Sequence, residues 1–335
     1  MTESGYCWRA LTLDDARRCA EISTAVSACA GAGERFQPRD LRAEWTEPNF
    51  DLSASSLGAA DAQGRLIAFA VFFATQEPPV RPYFNWGLDP AHGDPKLRAK
   101  LLSWAIDRGK SVIASCPPDA RVSLWGGAYR GYSADESALH EAGFSPGRLW
   151  HEMHIDMIER PAAVALPNGF VIRPYCHEAD LPILVDLVRD SFSDHYGHIE
   201  QSFERDLEMF RHWLDSSPVF DPDRVLLAMD EATGIVAGGV VPLREYQRRP
   251  GVGYIDMVGV RRAYRRRGLA SAMLIQSFAE YWDRGIKAVC LEVDGESLTN
   301  ALALYERVGM RVQHSFVSYE KLLRDGVELA KVAVK

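Results

Sequence analysis

The sequence predicts an α/β protein made of two tandem domains of the same type. Three observations carry this. Strand-like and helix-like segments alternate along all 335 residues. Similar segments return in the same order about 165 to 172 residues later, the signature of a tandem duplication. Between the two series lies 160–169, RPAAVALPNG, whose two prolines, small residues and glycine suit a linker. The expected boundaries are 1–160 for the first domain, 161–169 for the linker and 170–335 for the second domain. The length agrees with a prior of about two domains.

The elements are justified in order. YCWRALTLDDARRCAEIS opens the first half and FVIRPYCHEADLPILVDLV the second. Each is a short strand ending in Arg, then an acidic turn that caps a helix of apolar period. GRLIAFAVFFA (64–74) and TGIVAGGVVPL (233–243) are turn-plus-strand runs of small and β-branched residues. Residues 84–109 parallel 255–285, each a strand followed by a long amphipathic helix. Residues 138–157 parallel 304–321, each a helix end, a glycine stop and a closing strand pair.

Composition excludes several classes. The chain is 47% hydrophobic and 25% charged, and no segment approaches the roughly 18 uncharged apolar residues of a membrane span. The start lacks a basic-then-apolar signal pattern, so a cytoplasmic location is expected, with no membrane partner. The six cysteines are scattered without a CxxC pair, which predicts reduced, mostly buried thiols and no zinc site. HEMH at 151–154 lacks the spacing of a metalloprotease helix. No metal is expected. A net charge of −8 argues against nucleic acid and makes the basic run RRAYRRRGLA (261–270) an exception that needs a cause.

Its neighbours supply one. The run follows the strand-like YIDMVGV (254–260) and precedes apolar residues at helical spacing from Leu269 to Tyr281. It is therefore a strand-to-helix turn, whose free amides and positive helix end favour an anion. Gly268 lets a phosphate approach without a Cβ in the way. The arginines are expected to add charge-assisted hydrogen bonds to a diphosphate.

Arg265-Arg266-Arg267-Gly268-Leu269-Ala270 resembles the coenzyme A signature of the Gcn5-related N-acetyltransferase (GNAT) superfamily, Arg/Gln-x-x-Gly-x-Gly/Ala. Downstream, VCLEVDGESLTNALALYERVGM (289–310) resembles the superfamily's second motif, with one residue fewer before the tyrosine and Met310 for the usual aromatic. The resemblance implies a mixed, splayed central sheet flanked by helices in each domain, with acetyl-CoA or another acyl-CoA as co-substrate. It implies that backbone groups of Met257, Val258, Gly259 and Val260 hold the pantetheine and that amides from Arg266 to Ala270 hold the pyrophosphate. Asn300 would contact the cofactor or position the tyrosine, and Tyr305 would protonate the departing thiolate. For the base that deprotonates the acceptor amine, two candidates stay open. Asp256 shares a strand face with Val258 and Val260 by period-2 alternation, and Glu292 lies on the neighbouring strand. Gly238, Gly239 and Gly259 are expected to leave room for a longer acyl chain. The aromatic and acidic stretch 188–220, with His195, His198 and His212, is expected to cover the acceptor site.

The first half lacks this site. Aligned on the following helix, Lys96 stands where Gly268 does and Arg98 where Ala270 does, while Leu139 takes the place of Tyr305. Asp94 adds a negative charge and Pro95 removes an amide donor. A catalytically silent first domain follows, with unproductive acyl-CoA binding through Lys96 and Arg98 left open. The leading functional expectation is an acyl-CoA-dependent N-acyltransferase acting on a small-molecule amine, in secondary metabolism or thiol-cofactor biosynthesis. The alternative is an acyl-CoA-binding regulatory or scaffold protein without turnover. Monomer and homodimer remain equally open.

Overall fold

The computed structural model describes residues 2–3, 5–246, 248–297 and 300–332. The last three residues of the expected second domain lie outside them. By compactness the chain divides into one unit of residues 1–150 with 314–330, and another of 151–313 with 331–335. Residues 161–169, the expected linker, form neither helix nor strand. Among the described residues no helix is long and apolar enough to cross a membrane.

The first unit contains β1 (Thr2–Glu3), β2 (Tyr6–Arg9), α1 (Ala16–Cys29), α2 (Pro38–Trp45), β3 (Ser56–Ala60), β4 (Leu66–Phe73), β5 (Tyr83–Leu88), α3 (Pro95–Ser111), β6 (Val122–Tyr129) and α4 (Ser133–Glu141). Its strands lie in chain order from β1 to β6, antiparallel except for the parallel pair β5–β6. All eight residues of β4 are buried, as befits a central strand covered on both faces.

The second unit takes β7 (Ser145–Asp156) from His151 onward, then β8 (Phe170–Arg173), α5 (His177–Phe192), α6 (Phe203–Ser216), β9 (Leu226–Asp230), β10 (Val236–Leu243), β11 (Val252–Val260), α7 (Leu269–Asp283), β12 (Ala288–Asp294) and α8 (Ala301–Arg307). Its strand order is β7-β12-β11-β10-β9-β8, with β11 and β12 parallel and β8 to β11 antiparallel. One face packs on α7 and α8, around Met273, Phe278 and Tyr305. The other packs on α5 and α6, around Leu184, Leu187 and Leu214. Two α/β layers of the same kind are thus present, in agreement with the repeat.

The closing strand pair is not as simple as the repeat suggested. The last strand, β13 (Arg311–Arg324), pairs antiparallel with β6 from Phe316↔Tyr129 to Arg324↔Val122. The end of the second repeat therefore completes the sheet of the first unit. Hydrophobic alternation signals a strand and its faces but is blind to which distant strand it will pair with. The cysteines also differ from expectation. None of the six forms a disulfide among the described residues, but only Cys19, Cys116 and Cys290 are buried, while Cys7, Cys29 and Cys176 are exposed.

Candidate active site

In the second unit the central parallel strands come apart. The ladder between β11 and β12 runs from Val252↔Ala288 to Tyr254↔Cys290. Both strands continue beyond it, to Val260 and Asp294, with no further rung between them among the described residues. On its other side β11 stays paired with β10 through Met257↔Val241, Val258↔Val240, Gly259↔Gly239 and Val260↔Gly238. The edge of Met257–Val260 that faces the gap is therefore an unclosed backbone edge, and its polar groups need a partner. The four residues expected to hold a pantetheine chain lie on it.

Asp256 stands where the gap opens. A β-bulge sets it opposite no partner: Met257 pairs with Val241, Ile255 with Pro242, and Asp256 is the extra residue. The bulge also corrects the period-2 argument. Ile255 belongs to the core on the α7 side but Met257 to that on the α5 side, so alternation fails between them. Val258 and Val260 pack on the α7 side, and their shared face with Asp256 does not follow from counting by two. A bulge re-aims a side chain in this way without breaking the strand.

The Asp256 side chain is open to solvent, yet protein surrounds it on its other sides, so it sits in a recess rather than in a sealed core. That enclosure, reinforced by the negative charge of Glu292, pushes its carboxyl up to about 7. No hydrogen bond to Asp256 occurs among the described residues. Glu292 is differently placed. It accepts a hydrogen bond from the Tyr246 hydroxyl at 3.0 Å and lies 3.7 Å from the Arg248 guanidinium. Tyr246 in turn stacks on Tyr254 with ring centroids 4.6 Å apart. One carboxylate is held in place and the other is unengaged.

The basic turn leads into α7. Two residues in it are left-handed, Arg266 with φ 61° and Gly268 with φ 86°. For an arginine that conformation costs about 1–2 kcal/mol, which a functional turn tolerates. Backbone pairing runs out at the Arg265 N–H to Arg262 O bond of 3.4 Å and resumes with Ala272 N–H to Gly268 O at 3.1 Å. Between them the amides of Arg266 to Ala270 stand at the positive end of a 15-residue helix. Around Gly268 the space is open: a Cβ added there would meet nothing nearer than Pro167, at 3.8 Å.

The arginine side chains do not all serve an anion. Arg261 pairs with Asp186 at 2.6 Å, Arg262 with Asp190 at 3.0 Å and Arg265 with Asp194 at 2.5 Å. Arg265 also donates to Ser191 O at 2.7 Å. An acidic row at i, i+4 and i+8 along α5 and its C-terminal end thus uses three of the five arginines to fix the turn. Arg267 lies over the Tyr264 ring and donates to Ala263 O, and both Arg266 and Arg267 are exposed. The positive run is partly scaffold and partly available charge.

Tyr305 on α8 is 7% exposed and belongs to the same core cluster as Leu269, Met273 and Val293. Burial alone drives its hydroxyl further up from the ordinary tyrosine value. It therefore stays protonated and holds a proton to give, and no hydrogen bond to it occurs among the described residues. Asn300 caps α8 in a left-handed conformation (φ 57°), exposed and with no side-chain cap bond. The glycines expected to leave room for a longer acyl chain are packed instead. A Cβ on Gly238 would lie 2.9 Å from Met273 Cε, one on Gly239 2.9 Å from Leu187 Cδ2, and one on Gly259 3.1 Å from Ser191 Oγ. They let α5 and α7 approach the sheet. Of the aromatic stretch 188–220, Phe192, Phe203, Phe210 and Trp213 pack against the α5–α6 core. Sequence reasoning missed Tyr246 and Arg248, which sit in an irregular loop without periodic pattern.

Residues 183–310 match the model of the acetyltransferase (GNAT) family. A mycothiol acetyltransferase of Salinispora arenicola is 31% identical over 241 residues, 70% of this chain and 75% of that protein. The mycothiol acetyltransferase of Salinispora tropica is 32% identical over 156 residues, an alignment that spans about half of each protein, 46% of this chain and 49% of the relative. Among solved structures, a GCN5-related N-acetyltransferase from Sphaerobacter thermophilus superposes with a TM-score of 0.80 at 26% identity, covering 98% of this chain and 99% of that one. A tandem GNAT protein from the clavulanic acid biosynthesis pathway shares the fold, with a TM-score of 0.67 at 11% identity over 96% of this chain and all of that one (100%). The parted strands, the turn ahead of α7 and these likenesses agree: the chain belongs to the GNAT acetyltransferase family, as a tandem member similar to the mycothiol acetyltransferases, and is an N-acetyltransferase.

Proposed function

We propose that the second unit transfers an acetyl group from acetyl-CoA to a primary amine on a small polar molecule, by direct attack of the amine. The observation that carries this reading is the parting of β11 and β12 beyond Tyr254↔Cys290, which opens onto an unengaged carboxylate, Asp256. The residues present suit the co-substrate. An unclosed strand edge at Met257–Val260 matches the amides of a pantetheine arm. The amides of Arg266 to Ala270 and the exposed Arg266 and Arg267 match a diphosphate.

Acetyl-CoA supplies a thioester whose carbonyl carbon accepts the amine nitrogen and whose sulfur departs as a thiolate. Asp256 takes the proton that the amine loses, directly or through water. With a carboxyl near 7 it is a stronger base than an ordinary aspartate and still largely ionised above neutrality. Glu292, held by Tyr246, lies beside Asp256 and offers a hydrogen-bond acceptor to an incoming amine. Tyr305 gives its hydroxyl proton to the sulfur, so the proton lost by the amine and the one gained by the thiol balance through two residues. Asn300, exposed at the start of α8, would contact the cofactor or position Tyr305. The mycothiol acetyltransferase relatives favour an acceptor amine of the thiol-cofactor kind.

The test is release of free thiol from acetyl-CoA against a panel of amines, for the wild type, Asp256→Asn and Tyr305→Phe. Amine-dependent release that both substitutions depress supports the reading. Binding of acetyl-CoA without release from any amine sinks it in favour of a protein that only binds acyl-CoA.

A further inference from the structure

The first unit has the same parted strands, and its own side chains fill them. Parallel pairing runs through Ser123 N–H to Val80 O and Trp125 N–H to Pro82 O and ends at Tyr83↔Trp125, beyond which β5 and β6 diverge as β11 and β12 do. Into that divergence Trp86 reaches across and donates its indole N–H to Gly127 O at 2.9 Å. That carbonyl would otherwise be one of the backbone groups left without a strand partner. Beside it the Phe84 ring covers Gly126 so closely that a Cβ there would lie 2.4 Å from the ring, and Phe316 covers Gly127 in the same way at 2.1 Å. Phe84 is 2% exposed, tilted against Trp86 with centroids 6.4 Å apart.

The anion place is filled as well. Asp94 caps α3, its Oδ1 accepting the Lys96 N–H at 2.9 Å while its backbone O accepts the Leu97 N–H at 3.1 Å. Pro95 has no N–H to offer. The helix start thus carries a carboxylate of its own where the second unit offers bare amides. Arg98 cannot substitute as a phosphate ligand by swinging outward. It is 5% exposed, its Nε 2.8 Å from the Asp135 carboxylate.

We propose that the first unit is self-liganded: Trp86 and Phe84 occupy the slot between its parted strands, and Asp94 occupies its helix N-terminus, so the chain takes up a single acyl-CoA, in the second unit. The proposal rests on acyl-CoA being the ligand of the second unit, and its test separates the two. Native mass spectrometry of the full chain with acetyl-CoA is expected to show one bound molecule, and none for Gly268→Glu or Arg266→Glu. Amide hydrogen exchange is expected to show protection on 257–270 and no change on 84–98. Two molecules on the wild type, one persisting on both variants, or protection of 84–98 overturns the proposal. No molecule on the wild type leaves the first unit closed, as proposed, and strikes instead at the acyltransferase reading.

Discussion

Asp256 and Glu292 each stand two residues beyond the last rung, Tyr254↔Cys290, of the parallel strands β11 and β12, and the charge of Glu292 raises the proton affinity of Asp256. The two carboxylates differ in their surroundings. Glu292 accepts the Tyr246 hydrogen bond, whereas Asp256, bulged and without a hydrogen-bond partner among the described residues, is the proposed base.

Asp256→Asn removes the proposed base and leaves the shape. Turnover is expected to fall roughly 10²- to 10⁴-fold, the usual worth of a positioned acid or base, with KM for acetyl-CoA little changed. The proposed mechanism requires ionised Asp256, so in the wild type kcat/KM should rise with pH through about 7 and level off above it. A steady-state pH profile of both proteins checks this. A limb near 7 that persists in Asp256→Asn would assign the base elsewhere.

Glu292→Gln removes the like charge beside Asp256. Ionisation of Asp256 then becomes easier, so its carboxyl moves down toward the ordinary range and the rising limb moves to lower pH. Rate at the plateau should fall as well, because a neighbour with less proton affinity is a weaker base. An unchanged limb would show that the two groups do not sense each other.

Tyr305→Phe keeps the ring in its core cluster and deletes only the hydroxyl. Thiol release is expected to drop by about 10² or more, with acetyl-CoA affinity within a few-fold of wild type. Equilibrium binding run beside single-turnover kinetics separates the two effects. Loss of affinity equal to the loss of rate would make Tyr305 a binding residue instead.

Arg98→Ala in the first unit strands Asp135, which burial pushes up even with its partner present. Breaking a buried pair costs about 3–5 kcal/mol, enough to lower Tm by roughly 6–20 °C in a unit of this size. The unpaired carboxyl has a raised pKa, so the loss should be larger at the higher pH and shrink as acid protonates it. KM for acetyl-CoA should stay unchanged. Thermal melts at pH 5 and pH 8 test the direction.

Much of this was legible in the chain of residues alone. The strand-turn-helix order, the turn Arg265–Ala270 and the tyrosine of α8 are local patterns: hydrophobic period, helix-start chemistry and spacing within a few residues. Aligning the two copies put Lys96 at the place of Gly268 and Leu139 at that of Tyr305; the helix starts correct the first, since Asp94 caps α3 where Gly268 caps α7. Other features depend on partners far away in sequence. Nothing near RRAYRRRGLA says that Arg261, Arg262 and Arg265 will be met by Asp186, Asp190 and Asp194, some seventy residues upstream. Nothing in the GG of 238–239 distinguishes room for a ligand from room for Met273 and Leu187.

The sequence by itself determined the fold type, its duplication and the place of the basic strand-to-helix turn, because backbone propensity and periodicity are properties of neighbouring residues. Only the tertiary structure decided which carboxylate is unengaged, that β13 completes the sheet of the first unit, and that Trp86 fills one parted strand pair while the other stays open. Those outcomes are set by a bulge, by long-range strand pairing and by side chains reaching across gaps, and each is a contact between residues that the chain brings together only when folded.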